Sequence, residues 1–226
     1  STQATVDGYL VPAHIIQRQP NETGKGYTFP ERNLSLETGQ KHRLHMLSRT
    51  REIAEDLWDL LGERKARDEK TVIFCSDITH ASLMTSELQR LSSNPGYVAS
   101  LTSVQENTES IIRTFSRIGK NDPRILVVVD MFVGLDIPDI QNIVFTRYIN
   151  NILNYRQMKA IGSRPCPVIG KSHLNIYDYS GATLLEENLQ NGLFSKHQRE
   201  SNSGSRFSPD KDSISSRDSL WELSST

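Results

Sequence analysis

The chain alternates short apolar runs with stretches in which apolar residues recur every three or four positions. Thr71-Val72-Ile73-Phe74-Cys75 and Ile125-Leu126-Val127-Val128-Val129 are continuous apolar runs of strand length. Tyr97 to Leu101, Ile143-Val144-Phe145 and His173 to Tyr179 are three further strand candidates. Between them, Ile53, Leu57, Leu60 and Leu61 trace one helical face, from about residue 46 to 62. Ala81, Met84, Leu88 and Leu91 trace a second, and Ile111, Ile112, Phe115 and Ile118 a third. Another helical stretch runs from about 150 to 161. Short apolar strands alternating with amphipathic helices predict βαβ units and a mainly parallel sheet covered on both faces, a three-layer α/β/α sandwich. Ligands on such sheets bind at the carboxyl ends of the strands. Ser76, Thr102 and Asp130 each follow a strand and are expected on that edge.

The two ends differ from this centre. Residues 1–45 are mixed: a short apolar stretch from Gly8 through Ile15 and Ile16, then a loop rich in Gly, Asn and Pro from Pro20 to Pro30. After about Leu193 serine supplies a third of the residues and aliphatic side chains almost vanish, which predicts a disordered tail over 186–226. The domain proper is expected over 46–185. The sequence begins at Ser1 without an initiator methionine and is expected to be a piece of a longer protein.

Charge and cysteine narrow the chemistry. The net charge is −1, so any nucleic-acid role must rest on a local basic surface or on backbone amides, not on global attraction. Cys75 and Cys166 have no metal-ligand spacing, and two thiols do not make a disulfide framework, which suggests a reduced, cytoplasmic protein. No apolar stretch is long enough to cross a bilayer, and no membrane partner is expected. His42 and His45 are close together but lack a third ligand at metal spacing, and no metal site is expected. Asp122, Asp130, Asp136 and Asp139 are assigned turn and cap roles by default.

The most informative segment is Ile125 to Pro138, in which a buried strand is followed by Asp130-Met131-Phe132-Val133-Gly134-Leu135-Asp136. Gly134 would let backbone approach a ligand closely. Asp136 could accept from a ribose hydroxyl, or simply cap an ordinary βα loop. About twenty residues on comes Tyr155-Arg156-Gln157-Met158-Lys159-Ala160-Ile161-Gly162-Ser163-Arg164-Pro165-Cys166-Pro167. Together these segments resemble motifs V and VI of superfamily 2 helicases. In the branch of the type I restriction enzyme R subunit they read D-M-x-x-T-G-x-D-x-P and Q-M-x-G-R-G-[ST]-R. Val72 to Ser76 resembles motif IV, and Gly8 to Pro12 resembles the segment that links the two motor halves. Ile176-Tyr177-Asp178 resembles the closing strand of the second half.

The resemblance implies the second RecA-like half, of P-loop NTPase type, of an ATP-dependent DNA helicase or translocase. It implies that Arg164 is the arginine finger, that Gly134, Asp136 and Gln157 serve ATP, and that Ser76, Thr102 and Asp130 meet the DNA backbone. ATP with Mg²⁺ would be held mainly by a first motor half. Thr23-Gly24-Lys25-Gly26 is rejected as a P-loop, because Gln19 stands at its first glycine and Gly26 at its Ser/Thr. The chain alone is therefore expected not to hydrolyse ATP. Expected partners are DNA, the first RecA-like domain, and the methylation and specificity subunits of a restriction complex.

The family's motif VI glycine and first arginine fall here on Ala160 and Ile161, and its motif V threonine on Val129, with Val133 before Gly134. Three positions apart, Ile161 and Arg164 are expected to share a helical face. These departures leave a second reading open, a non-catalytic nucleic-acid-binding or scaffold domain that keeps the fold.

Overall fold

All five apolar runs fold as strands. The computed structural model describes residues 8–18, 36–104, 107–118, 123–129 and 137–187. In chain order the elements are β1 (Ala13–Gln17), α1 (Leu36–Ser48), α2 (Thr50–Glu63), β2 (Lys70–Phe74) and α3 (Ile78–Ser92). They continue with β3 (Val98–Leu101), α4 (Thr108–Phe115), β4 (Ile125–Val128), β5 (Ile140–Phe145), α5 (Ile152–Ile161) and β6 (Leu174–Asp178). The strands form one sheet in the order β1-β6-β5-β2-β4-β3, and every pairing is parallel.

Alternation along the strands builds two cores. Ile73, Cys75, Ile125, Val127, Val144 and Tyr177 pack with Leu57 and Leu61 of α2 and with Ala81, Met84 and Leu88 of α3. Their neighbours Val72, Phe74, Leu126, Val128, Ile143 and Phe145 pack with Phe115 of α4 and with Tyr155 and Met158 of α5. A sheet apolar on both faces needs a helical layer on each, and the two clusters supply them. The result is the expected three-layer α/β/α fold with an all-parallel, RecA-like sheet.

Several elements differ from the sequence expectation. The segment expected to be a connector, 1–45, supplies β1, the edge strand beside β6, and most of α1. β1 is fastened at its end: Arg18 pairs with Asp56 of α2, and the Tyr179 hydroxyl donates to the same carboxylate at 2.6 Å. β5 starts at Ile140, earlier than its apolar run. Asn142 hides that start, because it is buried yet satisfied. Its amide donates to Glu69 at 3.1 Å and Thr71 at 3.2 Å, and its carbonyl accepts from Asn175 at 3.0 Å. α4 stops at Phe115, and Ile118, expected on its face, is exposed. The serine-rich tail lies outside the described residues.

Asp139 is more than a turn residue. Its carboxylate meets the Lys70 ammonium at 2.7 Å with both side chains almost fully buried. Lys70 also donates to the Arg117 carbonyl at 2.6 Å. This pair sits at the amino ends of β2 and β5, the edge opposite the one on which ligands are expected.

Candidate functional site

The carboxyl edge is built from the residues that leave β2, β3, β4 and β5. β2 passes into Cys75 and Ser76, β3 into Thr102, β4 into Val129 and β5 into Thr146 and Arg147. Thr146 donates to the Phe74 carbonyl at 2.8 Å and lies 3.6 Å from the Cys75 sulfur. Burial pushes the Cys75 thiol up to about 12, so it is a packing group and not a nucleophile. From the end of β5, Arg147 reaches over the end of β2 and donates to the Val129 carbonyl at 2.7 Å. Ser76 and Thr102 stand on either side of the end of β4, as the strand order requires. Asp130, Gly134 and Asp136 lie outside the described residues.

Ser76 belongs to a polar cluster. Its hydroxyl donates to Asp77 Oδ2 at 2.8 Å and lies 3.1 Å from His80 Nδ1. Its backbone N–H donates to His80 Nδ1 at 3.3 Å. A backbone N–H can only donate, so Nδ1 is unprotonated and the imidazole is neutral, with its proton on Nε2. Asp77 caps α3 by accepting from the His80 N–H at 3.1 Å, and it pairs with Arg43 of α1. Burial pulls the Asp77 carboxyl up. Arg43, the His80 N–H and the Ser76 hydroxyl outweigh that and hold it at about 2. His80 is fully buried, which lowers it from 6.5 to about 4.

These shifts set a pH dependence. Between pH 6.5 and about 4 the unfolded chain binds a proton at His80 that the folded chain refuses. Stability should be full above the upper value and fall by on the order of 3 kcal/mol across that window. Asp77 stabilises the fold above its unfolded value of 3.8 and loses that contribution only as the pH falls toward about 2. Urea midpoints measured at several pH values should show the first loss. His80→Asn, which keeps an acceptor for Ser76 without a titrating ring, should flatten it.

The second part of the site is α5. Asn151 caps it by accepting from the Leu153 N–H at 2.8 Å. Tyr155 and Met158 are buried against the sheet, whereas Arg156, Gln157 and Ala160 are exposed. Gln157 and Ala160, three apart, share one face. The helix ends at Ile161, and Ile161 is half-buried against the core cluster. Arg164 lies beyond the helix and is exposed. The expected common face of Ile161 and Arg164 is therefore not present, because the chain turns at Gly162 before residue 164 is reached. Gly162 is held close to the sheet: a Cβ there would lie 2.6 Å from Leu174 Cδ1 and 3.0 Å from Ile143 Cδ1. Ser163 donates to the Lys159 carbonyl at 2.8 Å, and its own carbonyl accepts from Val11 N–H at 2.8 Å.

Beside α5 is a cavity of about 200 Å³ whose lining includes Leu10, Val11, Arg156, Lys159, Ala160 and Ser163. That is below the usual range of a complete small-molecule pocket. Exposed guanidinium and amide groups at Arg164 and Gln157 are the donor set that phosphate oxygens require. Among the described residues no group of three or more His, Cys, Asp or Glu could hold a metal ion. No helix among them is long and apolar enough to cross a membrane. Sequence reasoning missed Arg147, although its position just past a strand marked it as it marked Ser76. It also missed the Arg43–Asp77–His80 cluster, which joins two separate helices.

Comparison with known proteins agrees with this fold. Residues 52–160 match the helicase conserved C-terminal domain. The chain is 29% identical over 207 residues to the EcoKI endonuclease subunit of Escherichia coli strain K12, a type I restriction enzyme. It is 28% identical over 143 residues to the type I EcoAI endonuclease subunit of Escherichia coli. These alignments cover 77% and 61% of this chain but only 17% and 18% of those subunits. Among solved structures, a fragment assigned to the HsdR subunit of a type I restriction enzyme from Vibrio vulnificus YJ016 superimposes with a TM-score of 0.66 at 27% identity. That match covers 79% of this chain and 34% of the fragment.

Proposed function

We propose that this chain, a helicase C-terminal domain of a protein akin to type I restriction endonuclease subunits, is the second RecA-like half of an ATP-driven DNA translocase. The observation that carries the reading is the placement of Gln157 and Arg164. Gln157 is exposed in the middle of α5 and Arg164 is exposed just past its end, while the cavity against that helix is too small to be a whole nucleotide site. A surface of this kind completes a site whose other wall belongs to another domain. ATP, held with Mg²⁺ mainly by a first RecA-like half, supplies the phosphoryl group when bound. Arg164 places a fixed positive charge where negative charge grows on the transferring group. Gln157 orients the nucleotide from the exposed face of α5, with Gly134 and Asp136 contributing from the segment after β4. Ser76, Thr102 and Asp130 border the DNA backbone on the carboxyl edge. The setting is a cytoplasmic restriction complex with methylation and specificity subunits.

A photoreactive ATP analogue bearing its label on the γ-phosphate tests this. In the protein that carries both motor halves, label should enter the peptide around Arg164, and excess ATP should suppress it. Labelling confined to the first half would overturn the reading.

A second reading, the non-catalytic nucleic-acid-binding or scaffold domain, is favoured by Ile161. The family arginine at this position is replaced by an apolar side chain half-buried against the sheet. That reading expects DNA binding by the two-half protein without phosphate release.

A further inference from the structure

Ser163, Arg164 and Pro165 lie in the turn between the end of α5 and the antiparallel bridge of Cys166 with Lys171. Backbone bonds hold both ends of the turn. Val11 N–H donates to the Ser163 carbonyl at 2.8 Å, and Lys171 N–H donates to the Cys166 carbonyl at 3.1 Å. One side chain adds to them. The Lys171 ammonium, with the residue 8% exposed, donates to the Gly162 carbonyl at 2.7 Å and to the Pro138 carbonyl at 2.9 Å. Pro138 closes the segment that begins at β4, and Gly162 ends the helix that carries Gln157. One buried cation thus joins the ends of the two segments that resemble motifs V and VI.

The choice of residue is informative. Burial lowers Lys171 to about 8, with Cys166 and Asp139 acting in the opposite sense. Among the described residues, the carboxylate that acts on Lys171 is Asp139, and it is committed to Lys70. A lysine that only filled space here would be matched or bettered by methionine, since burying an ammonium is costly. Its donors go instead to two carbonyls more than twenty residues apart in sequence. One of these belongs to Gly162, the residue that caps the C-terminus of α5, where a cation is favoured by the helix dipole.

We propose that Lys171 is a positioning residue for Arg164: it fixes the Gly162–Arg164 turn against the Pro138 end of the neighbouring segment, so that the guanidinium meets ATP at a set distance. The proposal rests on the functional reading above.

The test is a double-mutant cycle in the protein that carries both motor halves. Lys171→Met should lower kcat for DNA-stimulated ATP turnover by about tenfold to a hundredfold and leave KM for ATP nearly unchanged. Lys171→Arg, which can donate to both carbonyls, should recover much of the rate. In an Arg164→Ala background, Lys171→Met should cost nothing further, because its effect runs through that arginine. Unchanged turnover in folded Lys171→Met, or the same loss in both backgrounds, overturns the proposal and leaves the functional reading standing. Turnover unaffected by Arg164→Ala overturns the functional reading and the proposal with it. If Lys171→Met does not fold, Lys171→Gln runs the same cycle.

Discussion

Arg164→Ala, in the protein that carries both motor halves, should reduce DNA-stimulated ATP turnover by about a thousandfold. The loss should fall on kcat, with KM for ATP changing little. A guanidinium that neutralises charge developing during phosphoryl transfer stabilises the transition state more than the bound substrate. Arg164→Lys should recover only a small part, because an ammonium cannot match the planar, two-pronged donor pattern of guanidinium on phosphate. The fold should be indifferent to either change. Arg164 is exposed and lies past the end of α5, so its removal leaves no cavity. Steady-state phosphate release with and without duplex DNA, beside a thermal midpoint for each variant, measures both claims. A drop in the midpoint that accounted for the lost activity would make Arg164 a structural residue.

The largest effect on stability is expected at Asp139. Its carboxylate and the Lys70 ammonium meet at 2.7 Å with 3% and 2% of their side chains exposed. Lys70 also lies over the Phe115 ring, 5.3 Å from its centroid. Asp139→Ala removes the only carboxylate paired with Lys70 among the described residues and leaves a positive charge inside the fold. Breaking a buried pair from one side costs about 3–5 kcal/mol. Removing both charges together is far milder, since well-packed apolar replacements often match a buried ion pair. Urea denaturation should therefore rank Asp139→Ala well below wild type, and Lys70→Met with Asp139→Leu close to wild type. A double mutant as unstable as the single one would show that the pair itself, and not the abandoned charge, holds the two strands.

The parts of the fold that were legible in the sequence are those where burial is uniform. β2 and β4 are buried along their whole length, so their apolar runs stand out. α5 was legible as a helical stretch from about 150 to 161, and Tyr155 and Met158 are its buried positions. β5 was only half legible. Its first residues include Asn142, a polar side chain made compatible with the interior by Glu69, Thr71 and Asn175, and those partners come from distant segments. β1 escaped notice because it is an edge strand whose residues are half-buried or exposed, so it carries little periodic signal. The site followed the same logic. Gln157 and Arg164 are proposed for it on their order and spacing, which a motif preserves. The position of Ile161 was misjudged because helical spacing was extended past Gly162, where the helix ends. Lys171 left no trace: its significance lies in two carbonyls, those of Pro138 and Gly162, that only the folded chain brings to it.

This domain is proposed to complete an ATP site which it does not contain alone. The most direct test is phosphate release, with duplex DNA present, from three samples: this chain, the first motor half, and the two together. DNA-stimulated turnover is expected only from the combination, and it should be lost when the combined sample carries Arg164→Ala. Equal turnover from either half alone, or none from a combination that binds ATP and DNA, would contradict it.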